Sequence, residues 1–128
     1  MFIGVNPSVA NEVQVDRTVR RCLGYARDWG CNGLLMTNLF GLVSQDIDGM
    51  LHAAHPVGDE NDKWLLASAE RAEIIVCAWG TNGTHWGRDQ EVLKLLRQYN
   101  LNYLRLTDGG HPEHPLYLPA TLKPQPLL

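Results

Sequence analysis

The sequence is poor in cysteine. Cys22, Cys31 and Cys77 are odd in number and form no CxxC or other metal-type spacing, so they read as reduced thiols rather than a secreted disulfide framework, and no metal is expected. Long apolar runs are missing too: none approaches the length needed to span a bilayer. The opening Met1-Phe2-Ile3-Gly4-Val5 lacks the basic start and extended apolar core of a signal peptide. We therefore expect a cytoplasmic protein with no membrane partner. Positive charge is also scarce, with 11 Lys and Arg against 14 Asp and Glu, and none of it lies between residues 28 and 62. A net charge of −3 excludes a non-specific nucleic-acid coat. Any contact with nucleic acid has to be local.

What is present fits one domain. The 128 residues, 45% of them hydrophobic, can bury one sizeable core but leave no room for a second. Four short, almost wholly apolar runs stand out: Phe2 to Val5, Leu34 to Thr37, Ile74 to Ala78 and Tyr103 to Leu106. Strands buried on both faces of a parallel sheet read this way. Between them lie helical spacings. Val19, Cys22, Leu23, Ala26 and Trp29 share one face of a first helix, opposite Arg17, Arg20, Arg21 and Arg27, and Asp16 is placed as its N-cap. A second helix is predicted from about Asp59 to Ala72 with Trp64, Leu65 and Ser68 inward, and a third from about Arg88 to Tyr99 with Val92, Leu96 and Tyr99 in register. Residues 39 to 58 predict a loop with a short helix near Asp48 to Ala53. The Pro- and Gly-rich tail from Thr107 predicts a functional loop and a turn rather than a further strand.

Alternating strands and helices imply right-handed crossovers and a covered parallel sheet. Ligands of such sheets bind beyond the carboxyl ends of the strands, which singles out four segments. Asn6-Pro7-Ser8 ends the first strand with an amide and a proline that forbids further pairing, although Asn-Pro is also an ordinary turn. Asn38, at the end of the second, has a paired donor and acceptor suited to a nucleobase edge, or satisfies local backbone. Phe40, Trp79 and Gly80 follow the second and third strands; either ring can stack on a base or pack in the core. His111-Pro112-Glu113-His114-Pro115 places two imidazoles in a stiffened loop, as oxyanion donors or as loop supports. Asp16 is open between capping and site chemistry. Arg20 and Arg21 are open between gripping phosphate and forming a solvated face.

Taken in order, these segments resemble the uracil-DNA glycosylase superfamily. Gly4-Val5-Asn6-Pro7 is similar to its G-I-N-P motif, Gly33 to Asn38 to its G-V-L-L-L-N stretch, Ile75 to Gly80 to its strand ending in L-W-G, and the histidine loop to H-P-S-P-L with one residue added. A closer, full-length resemblance is to domain of unknown function 1643. Its patterns appear here as Asn6-Pro7-Ser8-Val9-Ala10-Asn11, Asp16 to Cys22, Asn38-Leu39-Phe40, Ala78-Trp79-Gly80 and His114-Pro115-Leu116-Tyr117. Val9, Asn11 and Arg17 depart from the pattern. Members of that family carry further sequence before the first motif, so we expect a chain shortened at its N-terminus. The resemblance implies an α/β/α three-layer sandwich on a four-stranded parallel sheet ordered 2-1-3-4. It also implies a site in which Asn38 reads the base, Phe40 stacks, His111 or His114 stabilises the departing anion and Asn6 places water. No cofactor is implied. The expected function is hydrolysis of the N-glycosidic bond of a nucleobase in DNA or a nucleotide. The alternative is a non-catalytic module that binds nucleotide or nucleic acid.

Overall fold

The computed structural model describes residues 1–5, 12–40 and 60–127. In chain order the elements are β1 (Phe2–Gly4), α1 (Glu12–Asp28), β2 (Met36–Asn38), α2 (Asn61–Arg71), β3 (Ile75–Cys77), α3 (Arg88–Leu95), β4 (Leu101–Tyr103) and β5 (Gln125–Pro126). Short 3-10 stretches lie at Thr81–Gly87 and Pro115–Tyr117. The strands form one mixed sheet in the order β2-β1-β3-β4-β5. Its first four members are parallel, with Phe2 beside Met36 and Val76, and Ile75 beside Leu101. Pairing continues past the end of β1, where Leu39 and Phe40 donate to Gly4 O and Val5 O, each at 2.9 Å.

The alternation of side chains along each strand divides the core into two clusters. Phe2, Val76, Ala78 and Leu104 pack with Cys22 and Tyr25 of α1. Ile3, Ile75, Cys77, Trp79 and Leu101 pack with Leu65 and Ala69 of α2 and with Val92 of α3. Tyr25 stacks on Trp29 at 5.3 Å between ring centres, and Trp29 on Phe2 at 6.1 Å. The same two rings hold the C-terminal segment: Tyr25 Oη donates to Pro119 O at 2.6 Å and Trp29 Nε1 to Leu122 O at 3.3 Å.

Five expectations need correction. The sheet has a fifth strand, β5, antiparallel to β4, with Asn102 opposite Pro126 and Tyr103 opposite Gln125. Its proline argues against a strand in sequence, but at a sheet edge no donor is needed on the outer side. The last parallel strand is Leu101–Tyr103 rather than Tyr103 to Leu106, because Arg105 and Leu106 are exposed and Leu106 bridges instead to Pro112. Asp16 lies inside α1, which begins at Glu12, and so is not its N-cap. Trp64 and Leu23, expected inward, are 46% and 49% exposed, since apolar spacing broader than the buried stripe leaves its flanks in water. The helix predicted to reach Tyr99 ends at Leu95, while the expected short helix near Asp48 to Ala53 lies outside the described residues.

One side chain that the sequence did not single out ties the two helices of the second cluster to the sheet. Arg88, at the start of α3, is 1% exposed. Its Nε donates to Leu39 O at 2.7 Å, Nη1 to Glu91 Oε1 at 2.6 Å and Nη2 to Asp62 Oδ1 at 2.5 Å. Asn61 Nδ2 adds bonds of 2.9 Å to the carbonyls of Asn38 and Leu39. The backbone just beyond β2 is thus clamped from α3 by a charge-assisted bond and from α2 by the Asn61 amide.

The two carboxylates keep about half their surface in water, whereas the guanidinium does not. Removing the cation therefore costs less than stranding it. Arg88→Met should lose about 1.5–3 kcal/mol, the range for hydrogen bonds to a charged group. Asp62→Asn combined with Glu91→Gln leaves a buried charge unpaired and should lose about 3–5 kcal/mol. Urea unfolding of both variants checks the order of the two losses.

Burial also sets thiol chemistry. It pushes Cys22 and Cys77 up to about 12, while Cys31 is only partly buried. The expected outcome is one thiol alkylated readily in the native protein at pH 8 and two that react only on unfolding, as counted by mass. Because the folded thiols hold their protons above the ordinary value of 9.0, stability is retained below that pH and falls as pH rises from there toward 12. Urea midpoints across that interval measure the fall.

Candidate functional site

The sheet changes direction between β1 and β3: from β1 the chain passes to β2 on one side, and β3 and β4 extend the other. A crevice outside the carboxyl ends of the strands at such a point is where open α/β sheets bind ligands. Gly4 closes β1 there, with Asn38 as its register partner on β2. A Cβ on Gly4 would stand 2.9 Å from Asn38 Oδ1. The missing side chain thus gives the Asn38 amide room to lean from the outer strand over β1. Strand alternation puts Gly4 and Asn38 on the face that carries α1, since Phe2 belongs to that cluster.

On the far side of the crevice the chain leaves β3 through Ala78 and Trp79. Gly80 adopts φ 66° and ψ −166°, a conformation open essentially to glycine alone. Its N–H donates to Pro112 O at 2.6 Å, which fastens the histidine loop to the end of β3. That loop is a tight hairpin. Thr107 N donates to His111 O at 2.7 Å, His111 N to Thr107 Oγ1 at 3.1 Å, and Glu113 N to Arg105 O at 2.8 Å; Arg105 and Glu113 pair at 3.6 Å. The loop follows β4, yet its anchor on Gly80 brings it one strand closer to the crevice.

The two histidines differ. His111 is half-buried and held by its backbone. His114 caps the turn Pro115–Tyr117, its Nδ1 accepting from Leu116 N at 3.2 Å. Desolvation pushes the His114 pKa below its ordinary value of 6.5 although the residue as a whole is exposed. Acceptance of a hydrogen bond at Nδ1 requires a lone pair there, so the neutral ring carries its proton on Nε2 and presents it as a donor.

The remaining candidates divide clearly. Phe40 is 0% exposed and Trp79 is buried, so neither ring offers a face to a ligand; both are core residues. Trp79 packs so closely on Gly83 that a Cβ there would meet its ring at 2.2 Å. Arg20 and Arg21 are on α1 and border a groove with Leu116, the residue that donates to His114. Asn6, Pro7 and Ser8 lie outside the described residues, as does the side chain of Asp16.

Sequence reasoning missed a further aromatic at this rim. Trp86 is 59% exposed and stacks on His85 at 5.1 Å. It holds a left-handed backbone (φ 56°) that costs a side-chain-bearing residue roughly 1–2 kcal/mol. His85 in turn leans on Phe40 at 6.0 Å, and its buried Nε2 has no partner among the described residues. The run Gly-Thr-His-Trp-Gly was the available signal, since glycines flanking an aromatic pair mark an unusual turn.

The stretch from residue 1 to residue 116 matches the family model described as Protein of unknown function (DUF1643), and it takes in Gly4, Asn38, Gly80, Trp86 and both histidines of the loop. The chain belongs to that family. No curated protein and no solved structure matches it. In this DUF1643 chain no described helix is long and apolar enough to cross a membrane. Among its described residues, no three His, Cys, Asp or Glu side chains converge as metal donors.

Because the His114 pKa is lowered, its contribution to stability is present above 6.5 and is lost as pH falls through the folded value. An NMR titration of the imidazole protons should place the His114 midpoint below that of a histidine in an unfolded peptide. It should also show the Nε2–H tautomer in the neutral form.

Proposed function

We propose that the rim binds a nucleobase and supports hydrolysis of its N-glycosidic bond in DNA or a nucleotide, within a three-layer, uracil-DNA glycosylase-like architecture. The observation that carries this reading is the Leu116 N–H bond to His114 Nδ1, which leaves Nε2–H as the donor of the neutral ring. A neutral donor held by its own turn is suited to a carbonyl oxygen on which negative charge develops, and it costs no reorganisation during the reaction. In the proposed step the bond between the sugar carbon and the base nitrogen breaks, and its electron pair leaves with the base. His114 Nε2–H donates to the base oxygen, while the Asn38 amide donates to one edge group and accepts from a ring N–H. Water adds to the sugar carbon and its proton passes to solvent. Asn6 is assigned to the water; an amide orients water but does not deprotonate it.

A binding module without chemistry is favoured by one observation: Phe40 and Trp79, the rings expected to hold a flipped base, are buried. The two readings part on product. Single-turnover incubation with oligonucleotides carrying a panel of modified bases, followed by mass analysis, is expected to show slow release of free base. His114→Ala should slow release by about 10²–10³, the usual cost of one oxyanion donor. Asn38→Asp should shift preference toward a ring presenting an amino group by about 1–3 kcal/mol. Binding without release by the unaltered protein leaves the module; release undiminished in His114→Ala removes that histidine from the chemistry.

A further inference from the structure

Along α1, Arg17, Arg20, Arg21 and Arg27 line a trough of about 400 Å³ whose opposite wall is formed by Leu116 and Ala120. Four of the 11 cationic side chains of an acidic protein thus share one helix face. Asp28 is the one acidic residue of the lining, 3.9 Å from Arg27. Arg17, Arg20 and Arg21 enter no ion pair among the described residues. Like charges three and four residues apart weaken a helix, so this arrangement is unfavourable for α1 by itself. The wall is rigid, because Tyr25 Oη and Trp29 Nε1 bind the C-terminal segment to the helix.

Gly24 makes the same point from another direction. It sits mid-helix, where glycine costs stability, yet nothing lies within 4 Å of the position its Cβ would occupy. Packing does not require a glycine there. What its absent side chain preserves is the floor of the trough, between the arginines of the first half of the helix and Arg27.

We propose that this trough holds the backbone of a single-stranded nucleic acid. Arg17, Arg20 and Arg21 lie within about one helical turn and would serve any compact phosphate. Arg27 lies about 15 Å beyond Arg17 at 1.5 Å per residue, a distance bridged by a chain of phosphates and not by one group. A trough with a wall on one side admits a thread more readily than the breadth of a duplex. The start of α1 follows the carboxyl end of β1, so the strand runs toward the rim. The proposal rests on the rim reading only for what lies at the strand's end: it makes the substrate there a base on a polynucleotide, not a free nucleotide.

Fluorescence anisotropy with a labelled single-stranded DNA 12-mer tests it, with the matching duplex and inorganic triphosphate as competitors. The 12-mer should bind with a salt slope of about −0.7 per phosphate contact, thus roughly −2 to −3 for the four arginines. Arg27→Ala should reduce that slope by about 0.7 and leave competition by triphosphate unchanged. Gly24→Glu, which has open space and a better helix former, should weaken binding at least about tenfold by placing a carboxylate among the arginines, with its urea midpoint unlowered. Absence of 12-mer binding at low salt overturns the proposal. So does a duplex that competes as well as the single strand, or full affinity in Gly24→Glu. Failure of the rim reading is separate: it shows as no base release together with 12-mer affinity unaltered in Asn38→Ala and His114→Ala.

Discussion

A guanidinium shut away from water sets the terms for the rest of the structure. Arg88 reaches the Leu39 carbonyl from the start of α3 and takes one carboxylate from α2 and one from its own helix. A buried cation of this kind is costly unless all its partners are in place. The positions of α2, α3 and the chain after β2 are therefore mutually dependent. Asn61 reinforces the same carbonyls, so the backbone of Asn38 is fixed while its side chain is free to lean over Gly4. The clamp lies on the face of the sheet away from α1; the amide it steadies points the other way.

That division gives the rim two unlike sides. Toward α1 it is polar and cationic: the Asn38 amide leans over Gly4, and the arginines border a trough with Leu116, whose N–H meets His114. Toward α3 it is aromatic and strained, with Trp86 in a left-handed conformation stacked on His85 and Phe40 beneath. Both sides depend on the exit from β3, where the Gly80 N–H holds the histidine loop and Trp79 fills the space left by Gly83. Backbone strain concentrated in so short a stretch is characteristic of functional segments.

Much of the architecture was legible because it rests on local regularities. Unbroken apolar runs located β1, β2 and β3, and helical periodicity located α1, α2 and α3 with Cys22, Leu65 and Val92 correctly inward. What escaped was non-local. β5 is a strand only because Asn102 and Tyr103 present an edge to it. Arg88 reads as an ordinary charged helix residue until Asp62 arrives from elsewhere in the chain. At the site, Asn38 and the histidine loop were legible as polar groups at strand ends, but the difference between His111 and His114 was not. It depends on a backbone N–H meeting the His114 ring at Nδ1, whereas His111 is held through its own backbone. Phe40 and Trp79 have the same composition signature as base-stacking rings and differ only in burial.

The parallel strands are three residues long, and none pairs with a sequence neighbour through a tight turn: Phe2 meets Met36 and Val76, and Leu101 meets Ile75. Each ladder must close a long loop before its few hydrogen bonds return anything, and such topologies fold slowly for their size. Helix α1 closes only local bonds, so it needs no ladder to begin forming, but its neighbouring arginines and Gly24 leave it weak until it packs on the sheet. Strand β1, between β2 and β3, can be flanked on both sides only after both of those strands have been made. During synthesis, then, the edge of the apolar Met1 to Val5 segment that β3 covers must wait for β3 to emerge, unpaired and open to association with other chains.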